Sequence, residues 1–339
     1  MPKTLGFIHT SHGTTTSSTS TSFTEVVESA ALVAGKTYYV VCTALIEGSN
    51  TANVFEYRLF DNTNNAEVTD SVVKREPANG IQTQSYQFIG KITAGSNGGG
   101  LSFEQKAADG YTVTTQYLSM WLLELDDLRS SDYFFESNST QAEHTDSYVD
   151  RVTKTVQKTK AGDEWLVLGW GSFSMDSVTK AAAMTLSYTN GGSTSAEPEI
   201  VFEGEDLTEI LPGMVARAYT IGTSGVSEWK LQSKDPSLHA STPNDYEAGA
   251  LLGIRLNAFA DFDSSYNTSN QTWDLGEVTF KEIQSASLKS SQAGGVFAIG
   301  FGVLDTNTSS GSHGAFSRLQ VEGSSTPNSV PDNERQCGV

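Results

Sequence analysis

The sequence predicts an all-β protein made of tandem antiparallel β-sandwich domains, jelly-roll-like in connection, two complete and a third partial. Three observations predict it. Thr, Ser, Gly, Val and Tyr are abundant while runs of Ala, Leu, Lys and Glu at helical spacing are scarce, a balance that favours strands. The chain of 339 residues exceeds what one small core requires. One segment also recurs at a nearly fixed spacing, which sets the number of units independently of propensity.

That segment is an Ala-Gly turn running straight into a strand. It occurs as Val33-Ala-Gly-Lys-Thr-Tyr-Tyr-Val-Val-Cys, as Lys160-Ala-Gly-Asp-Glu-Trp-Leu-Val-Leu-Gly, and as Gln292-Ala-Gly-Gly-Val-Phe-Ala-Ile-Gly-Phe. Gly35 and Gly162 lie 127 residues apart, and Gly162 and Gly294 lie 132 apart. A second anchor closes each of the first two units: Trp121-Leu-Leu-Glu-Leu and Leu252-Gly-Ile-Arg-Leu, with Leu125 and Leu256 separated by 131 residues. The expected organisation is a flexible N-terminal arm over residues 1–22, a first repeat over 23–136, a second over 137–266, and a partial third over 267–339. The arm is expected because residues 13–22 are almost entirely Ser and Thr. The third segment carries its Ala-Gly anchor but no closing anchor. Half a sandwich leaves strand edges open to pairing, so this segment is expected to serve oligomerisation or attachment.

Within the units, Phe55, Tyr57 and Leu59 alternate with Glu56 and Arg58, the period of a strand with one wet face. Met184, Leu186 and Tyr188 repeat that pattern, as do Ser227, Trp229 and Leu231 opposite Glu228 and Lys230. The closing segment from Gln116 to Leu125 is nearly continuous in apolar residues, which predicts a central strand buried on both faces. Residues 148–159 place Val149, Val152 and Val156 at helical spacing, but their β-branching favours a strand. Asn79-Gly80, Asn97-Gly98 and Asn190-Gly191 supply tight turns.

Charge and cysteine content narrow the function classes. Lys and Arg total 21 against 40 for Asp and Glu, a formal charge of −19 that repels a phosphate backbone, so no nucleic-acid partner is expected. Cys42 and Cys337 form no disulfide framework and are expected as free thiols. No stretch approaches the ~18 apolar residues of a membrane span, and the first residues lack the apolar core of a secretory signal, so no membrane insertion is expected.

The motifs of nucleophilic, phosphate-binding, dinucleotide-binding and zinc-protease chemistry are missing from the sequence. His9 and His12 lie three apart without a third ligand at metal-binding spacing, His144, His239 and His313 stand alone in Ser/Thr-rich stretches, and all five read as exposed loop residues. Glu203, Glu205 and Asp206 flank a glycine. Asp126 and Asp127, and Asp261 and Asp263, follow the two closing strands at matching places and read as junction residues, and the Asp261-Phe-Asp263 pair lacks the remaining ligands of a calcium loop. No catalytic, cofactor-binding or metal-ligating residue is therefore expected. Trp121, Trp165 and Trp170 fall inside strand runs and read as core; Trp229 and Trp273 are the two candidates for stacking a ligand such as a glycan.

Taken together, tandem sandwich repeats, an Asn/Ser/Thr/Gly-rich surface, free cysteines and the segment Leu256-Asn-Ala-Phe-Ala-Asp-Phe262 resemble the accessory virion proteins of tailed bacteriophages, in the style of marine phage structural proteins. The resemblance implies a non-enzymatic virion protein, made in the host cytoplasm, that decorates a capsid or belongs to a tail or fibre. Its implied partners are further copies of itself and major capsid or tail proteins, and no functional residues carry over. The alternative expectation is a receptor- or glycan-binding adhesin recognising a host surface glycan.

Overall fold

The computed structural model describes residues 6–49, 53–75, 83–126, 128–175, 181–196, 199–203, 209–236 and 245–259, and four short strands between residues 314 and 338. The first unit contains β1 (Phe7–His12), β2 (Thr16–Ser18), β3 (Thr24–Glu28), β4 (Thr37–Gly48), β5 (Phe55–Asp61), β6 (Ala66–Glu67), β7 (Val73–Arg75), β8 (Thr83–Thr93), β9 (Leu101–Lys106) and β10 (Val113–Glu124). The second contains β11 (Tyr133–Asn138), β12 (Ala142–Glu143), β13 (Val149–Thr159), β14 (Glu164–Met175), β15 (Ala181–Asn190), β16 (Ser193–Ala196), β17 (Ile200–Glu203), β18 (Glu209–Thr220), β19 (Gly225–Lys234) and β20 (Asp245–Arg255). Beyond a short 3₁₀ turn, Leu256–Ala258, lie β21 (Gly314–Ser317), β22 (Gln320–Glu322), β23 (Pro327–Ser329) and β24 (Arg335–Gly338), paired β21 with β24 and β22 with β23. The rest of the expected third unit, with its Ala-Gly anchor, lies outside the described residues.

The strand order identifies the fold. In the first unit one sheet runs β1-β10-β4-β8 and the facing one β7-β5-β9-β3. Counting the eight principal strands along the chain, these are first-eighth-third-sixth and fifth-fourth-seventh-second, the jelly-roll order of two interlocked Greek keys. The second unit repeats it strand for strand: β11-β20-β14-β18 faces β13-β19-β15, with β17 on the outer side of β15. The minor strands match as well. β2 and β12 flank β10 and β20, and β6 and β16 extend β5 and β15. Even an irregularity recurs: β3 slips register against β9 between Glu25 and Val27, and β13 slips against β19 between Asp150 and Val152. Fold class and jelly-roll connection thus agree with the expectation from sequence.

The Ala-Gly anchor works identically in both units. Gly35 and Gly162 adopt positive φ of 79° and 86°, the region a Cβ disfavours. Gly35 N donates to Ala94 O and Gly162 N to Ile221 O, both at 2.8 Å, and Ala94 N and Ile221 N donate back to Lys36 O and Asp163 O. The turn therefore clips the start of the third principal strand to the end of the sixth. The closing anchor has its own clip. Thr37 N donates to Asp126 Oδ2 at 2.9 Å, and Glu164 N donates to Asn257 Oδ1 at 2.6 Å. The junction role expected of Asp126 is present, but its counterpart is Asn257 rather than Asp261 or Asp263, which lie outside the described residues together with Asp127.

The two jelly rolls are stacked, not strung apart. The sheet β1-β10-β4-β8 points one face at its own partner sheet and the other at β11-β20-β14-β18. Across this second interface Tyr39 meets Tyr133 edge-on at 5.8 Å and Phe135 at 6.0 Å, and Lys91 Nζ lies 5.6 Å from the Phe135 ring centre. Trp170 packs edge-on against Phe88 at 5.2 Å and donates from Nε1 to Gln87 O on the sheet-edge strand β8 at 2.8 Å. Leu168, Met214, Ala248, Ala250, Leu252 and Ile254 of the second unit consequently belong to the same apolar core as Val40, Phe55, Leu59 and Phe103 of the first. A bridge between Ile210 of β18 and Lys74 of β7 joins the outer sheet of one unit to the inner sheet of the other. The result is four β-layers, in which the first unit's inner sheet is covered on its second face along β4 and β8 but stays open at β1, where Phe7 is exposed.

Stacking explains the strand burial. β5 alternates as expected, with Phe55, Tyr57 and Leu59 inward and Arg58 paired outward with Glu104 at 2.7 Å. Burial on both faces, expected of the closing segment Gln116–Leu125, is not met there and is found instead in its counterpart β20, which is buried almost continuously. In β10 Leu118, Met120 and Leu122 are buried, whereas Trp121 and Leu123 on the opposite face are only partly covered. Residues 149–159 form the expected strand β13.

Two boundaries differ from expectation. The Ser/Thr-rich N-terminal stretch is not a flexible arm: β1 and β2 pair antiparallel with β10 over Phe7–His12 and Thr16–Ser18. Strand pairing satisfies the backbone groups there, and Ser17 Oγ meets Thr114 Oγ1 across the strands at 2.9 Å, so polar side chains suit this edge. The second unit begins by Tyr133 rather than at residue 137, because β11 pairs with β20 along Tyr133–Asn138. The aromatic stretch read as linker is the second unit's first strand.

Candidate functional site

The structure places the candidate residues as follows. Trp229 is 0% exposed, at the centre of the second core, stacked on Tyr188 at 5.2 Å and beside Phe134 at 5.2 Å and Trp165 at 5.6 Å. It is an internal packing residue and offers no face to a ligand, which corrects its assignment as a stacking residue. The strand period already pointed inward, since Trp229 shares a face with Leu231. Trp273 lies outside the described residues. Trp165 and Trp170 are buried, Trp170 against the neighbouring unit rather than inside its own sandwich, while Trp121 sits half-covered on the outer face of β10 beside Phe7 and His9.

His144 is not an exposed loop residue. It is 4% exposed, bonded through Nε2 to Ser233 Oγ at 2.8 Å and packed against Phe173. Ser233 also accepts from Arg151 Nε at 2.8 Å, and burial depresses the Arg151 pKa. This polar knot ties the β12–β13 segment to β19. His12 bonds Thr16 Oγ1 at 2.8 Å, which closes the β1–β2 connection. His239, His313, Glu205 and Asp206 lie outside the described residues. Among the described residues no group of three or more His, Cys, Asp or Glu side chains could hold a metal ion. Cys42 is buried in the core of the first unit.

The tight turn expected at Asn190-Gly191 is present, and beside it lies a cleft that the sequence does not announce. Strands β15 and β16 are joined by Gly191 and Gly192, both at positive φ (59° and 81°), the geometry of a two-residue primed turn. Asn190 fixes this turn to the β18–β19 connection: its Nδ2 donates to Thr223 O at 2.9 Å, and its Oδ1 accepts from Thr223 N at 2.8 Å. Beside the turn opens a cleft of about 310 Å³ walled by Tyr188, Asn190, Gly191, Ser193, Thr194, Ser195, Thr220, Gly222 and Thr223. Its lining carries no charged side chain. Tyr188, only 9% exposed, underlies it and stands against Tyr219 at 4.8 Å. Burial raises the Tyr188 phenol pKa, offset in part by Ser227. A second cleft of about 400 Å³, on the other side of the turn, shares Asn190 and Gly191 and adds Gly192, Ser224 and Glu228.

Fold and surface together define a tandem jelly-roll protein. No family model matches the chain, and no curated protein matches it in sequence. Among solved structures it is similar to the tandem CBM22-1–CBM22-2 domains of Xyn10C from Paenibacillus barcinonensis, at 8% identity over 73% of this chain and 93% of that one, with a TM-score of 0.24. It is also similar to the infectious bursal disease virus VP2 subviral particle, at 8% identity over 75% of this chain and 74% of that one, with a TM-score of 0.25. Among the described residues no helix is long and apolar enough to cross a membrane.

Proposed function

We propose that this chain is a non-enzymatic structural protein of a virion, which decorates the capsid of a tailed bacteriophage or attaches to its tail, and which self-associates or docks through its terminal segment, residues 267–339. The observation that carries the reading is the fusion of two jelly rolls through one shared core. This builds a continuous block around one core, suited to bearing load on a particle surface, and jelly rolls are a recurrent choice in capsid proteins. The negative net charge suits a protein that must remain soluble at high copy number before it assembles.

The test is co-sedimentation of the purified chain with mature capsids and, separately, with isolated tails. Saturable binding at a fixed ratio to either one supports the reading. A chain that binds neither, or that releases reducing ends from host polysaccharide, overturns it. Light scattering of the full chain and of a version ending at Asn270 examines the attachment role: loss of particle binding in the shortened chain, with the two jelly rolls still folded, is the expected result.

A further inference from the structure

The first unit contains a direct counterpart of the cleft at the β15–β16 turn, and there the space is filled. Pairing register equates Thr93 with Thr220, because Thr37 faces the former and Glu164 the latter, and so equates Gly95 with Gly222. In the first unit β5 and β6 are joined by four residues, 62–65, where the second unit uses only Gly191 and Gly192. Two of the extra side chains fold down onto the end of β8. Asn64 Nδ2 donates to Thr93 O at 2.9 Å, and Gly95 N donates to Thr63 Oγ1 at 2.7 Å. The filling is tight, since a Cβ on Gly95 would collide with Thr63 O and the Asn64 side chain. At Gly222 the same construction meets nothing nearer than Asn190 Oδ1 at 3.8 Å.

We infer that this cleft is a binding site for a neutral sugar ring of a glycan. In the second unit Thr220 and Gly222 lie on the cleft wall without the carboxamide and hydroxyl that their equivalents engage in the first. A ligand that takes over the work of Asn64 and Thr63 must place a donor and an acceptor close together, and adjacent sugar hydroxyls do both. The remaining wall supplies the hydroxyls of Ser193, Ser195 and Thr223, which match further ring hydroxyls in either direction, while Thr194 Oγ1 is bonded to Thr189 Oγ1 at 2.9 Å. The uncharged lining and the net charge of −19 select against an anionic ring. The volume of about 310 Å³ lies at the small end of the ~300–1,000 Å³ found for small-molecule sites, which suits one ring, and the neighbouring cleft across the turn suits a second linked to it. The site does not depend on the virion reading, because an attachment protein or an isolated binding module would use it equally.

The experiment is saturation-transfer NMR of the full chain with the methyl glycosides of glucose, galactose, mannose and N-acetylglucosamine at about 10 mM, a concentration that detects the millimolar binding expected of single rings. A parallel array of neutral oligosaccharides separates free-sugar binding from glycan binding. Gly222 lacks a positive φ, so Gly222→Leu fills the cleft without backbone strain. A second blocking variant replaces Gly191–Gly192 with Asn-Thr-Asn-Asn, the loop of residues 62–65. Expected is transfer to at least one glycoside in the wild type, reduced at least tenfold in both variants at an unchanged melting temperature. Absence of transfer to all four glycosides and all arrayed oligosaccharides overturns the assignment, as does binding that survives both variants. Either outcome leaves the particle-binding result untouched.

Discussion

Replacing Trp170 with Ala should uncouple the two jelly rolls. The indole is 1% exposed, packs on Phe88 across the junction and is the donor to Gln87 O. Truncation of a buried Trp costs about 3–5 kcal/mol through lost transfer energy and the cavity left behind, and an orphaned carbonyl adds about 1 kcal/mol. At roughly 2–4 °C per kcal/mol for a body of this size, the melting temperature should fall by about 8–24 °C. Because Trp170 belongs to a core spanning both units, the loss should also change the form of unfolding. Guanidinium titration followed by tryptophan fluorescence and by far-ultraviolet circular dichroism should give coincident single transitions for the wild type and separated ones for Trp170→Ala. Trp170→Phe retains most of the packing and should cost about 1–2 kcal/mol with coincidence preserved. Two transitions in the wild type, or a cost below about 1 kcal/mol for Trp170→Ala, would refute the shared-core account.

Gly35→Ala and Gly162→Ala should each cost about 1–2 kcal/mol, since both residues hold positive φ and neither site would obstruct a Cβ; thermal melts giving clearly unequal costs would show that the two anchors are not equivalent. Glu247 has its pKa raised by burial and then by Asp245, so its charged form weakens the fold at neutral pH and relief comes as pH falls through the raised value. Glu247→Gln should therefore melt higher than wild type at pH 7, with the gap closing on acidification; a gap that persists in acid contradicts this. For Asp150, burial pushes the pKa up, but hydrogen bonds from Lys230 and Gln232 outweigh it and leave the pKa lowered, and Glu199 is lowered by Lys234 and Tyr148. Both contribute stability above the unfolded carboxylate value near ~4 that is lost as pH falls through their depressed values, so melts from pH 5 to pH 2 should drop more steeply for wild type than for an Asp150→Asn, Glu199→Gln double variant.

The sequence carried the repeat because its anchors are local. A glycine at positive φ and the strand behind it occupy consecutive positions, so Gly35 and Gly162 could be matched by eye. The inward face of β19 was legible for the same reason, and read strictly it would have placed Trp229 in the core beside Leu231. What could not be read was anything set by contacts across layers. Tyr133 and Phe135 look like linker aromatics until β20 is known to lie beside them and Tyr39 opposite them. His144 sits among polar residues in sequence but under Phe173 and Ser233 in space. The Ser/Thr-rich start is too polar to announce order because it buries little, yet it pairs along a strand edge where main-chain bonds, not side-chain burial, do the holding. The cleft is not visible in the sequence because it is a difference of two residues between equivalent turns, and the register that makes them equivalent is a property of the fold.

The layered junction also bears on how the duplicated halves can change. Repeats joined by a linker are free to drift separately, to be shuffled or to be lost one at a time. Here a change at Tyr39 is felt by Tyr133 and Phe135, and a change at Trp170 by Phe88, so the halves are obliged to diverge together. Freedom remains at the strand-end loops, where the two-residue turn beside Gly222 has already departed from its four-residue twin.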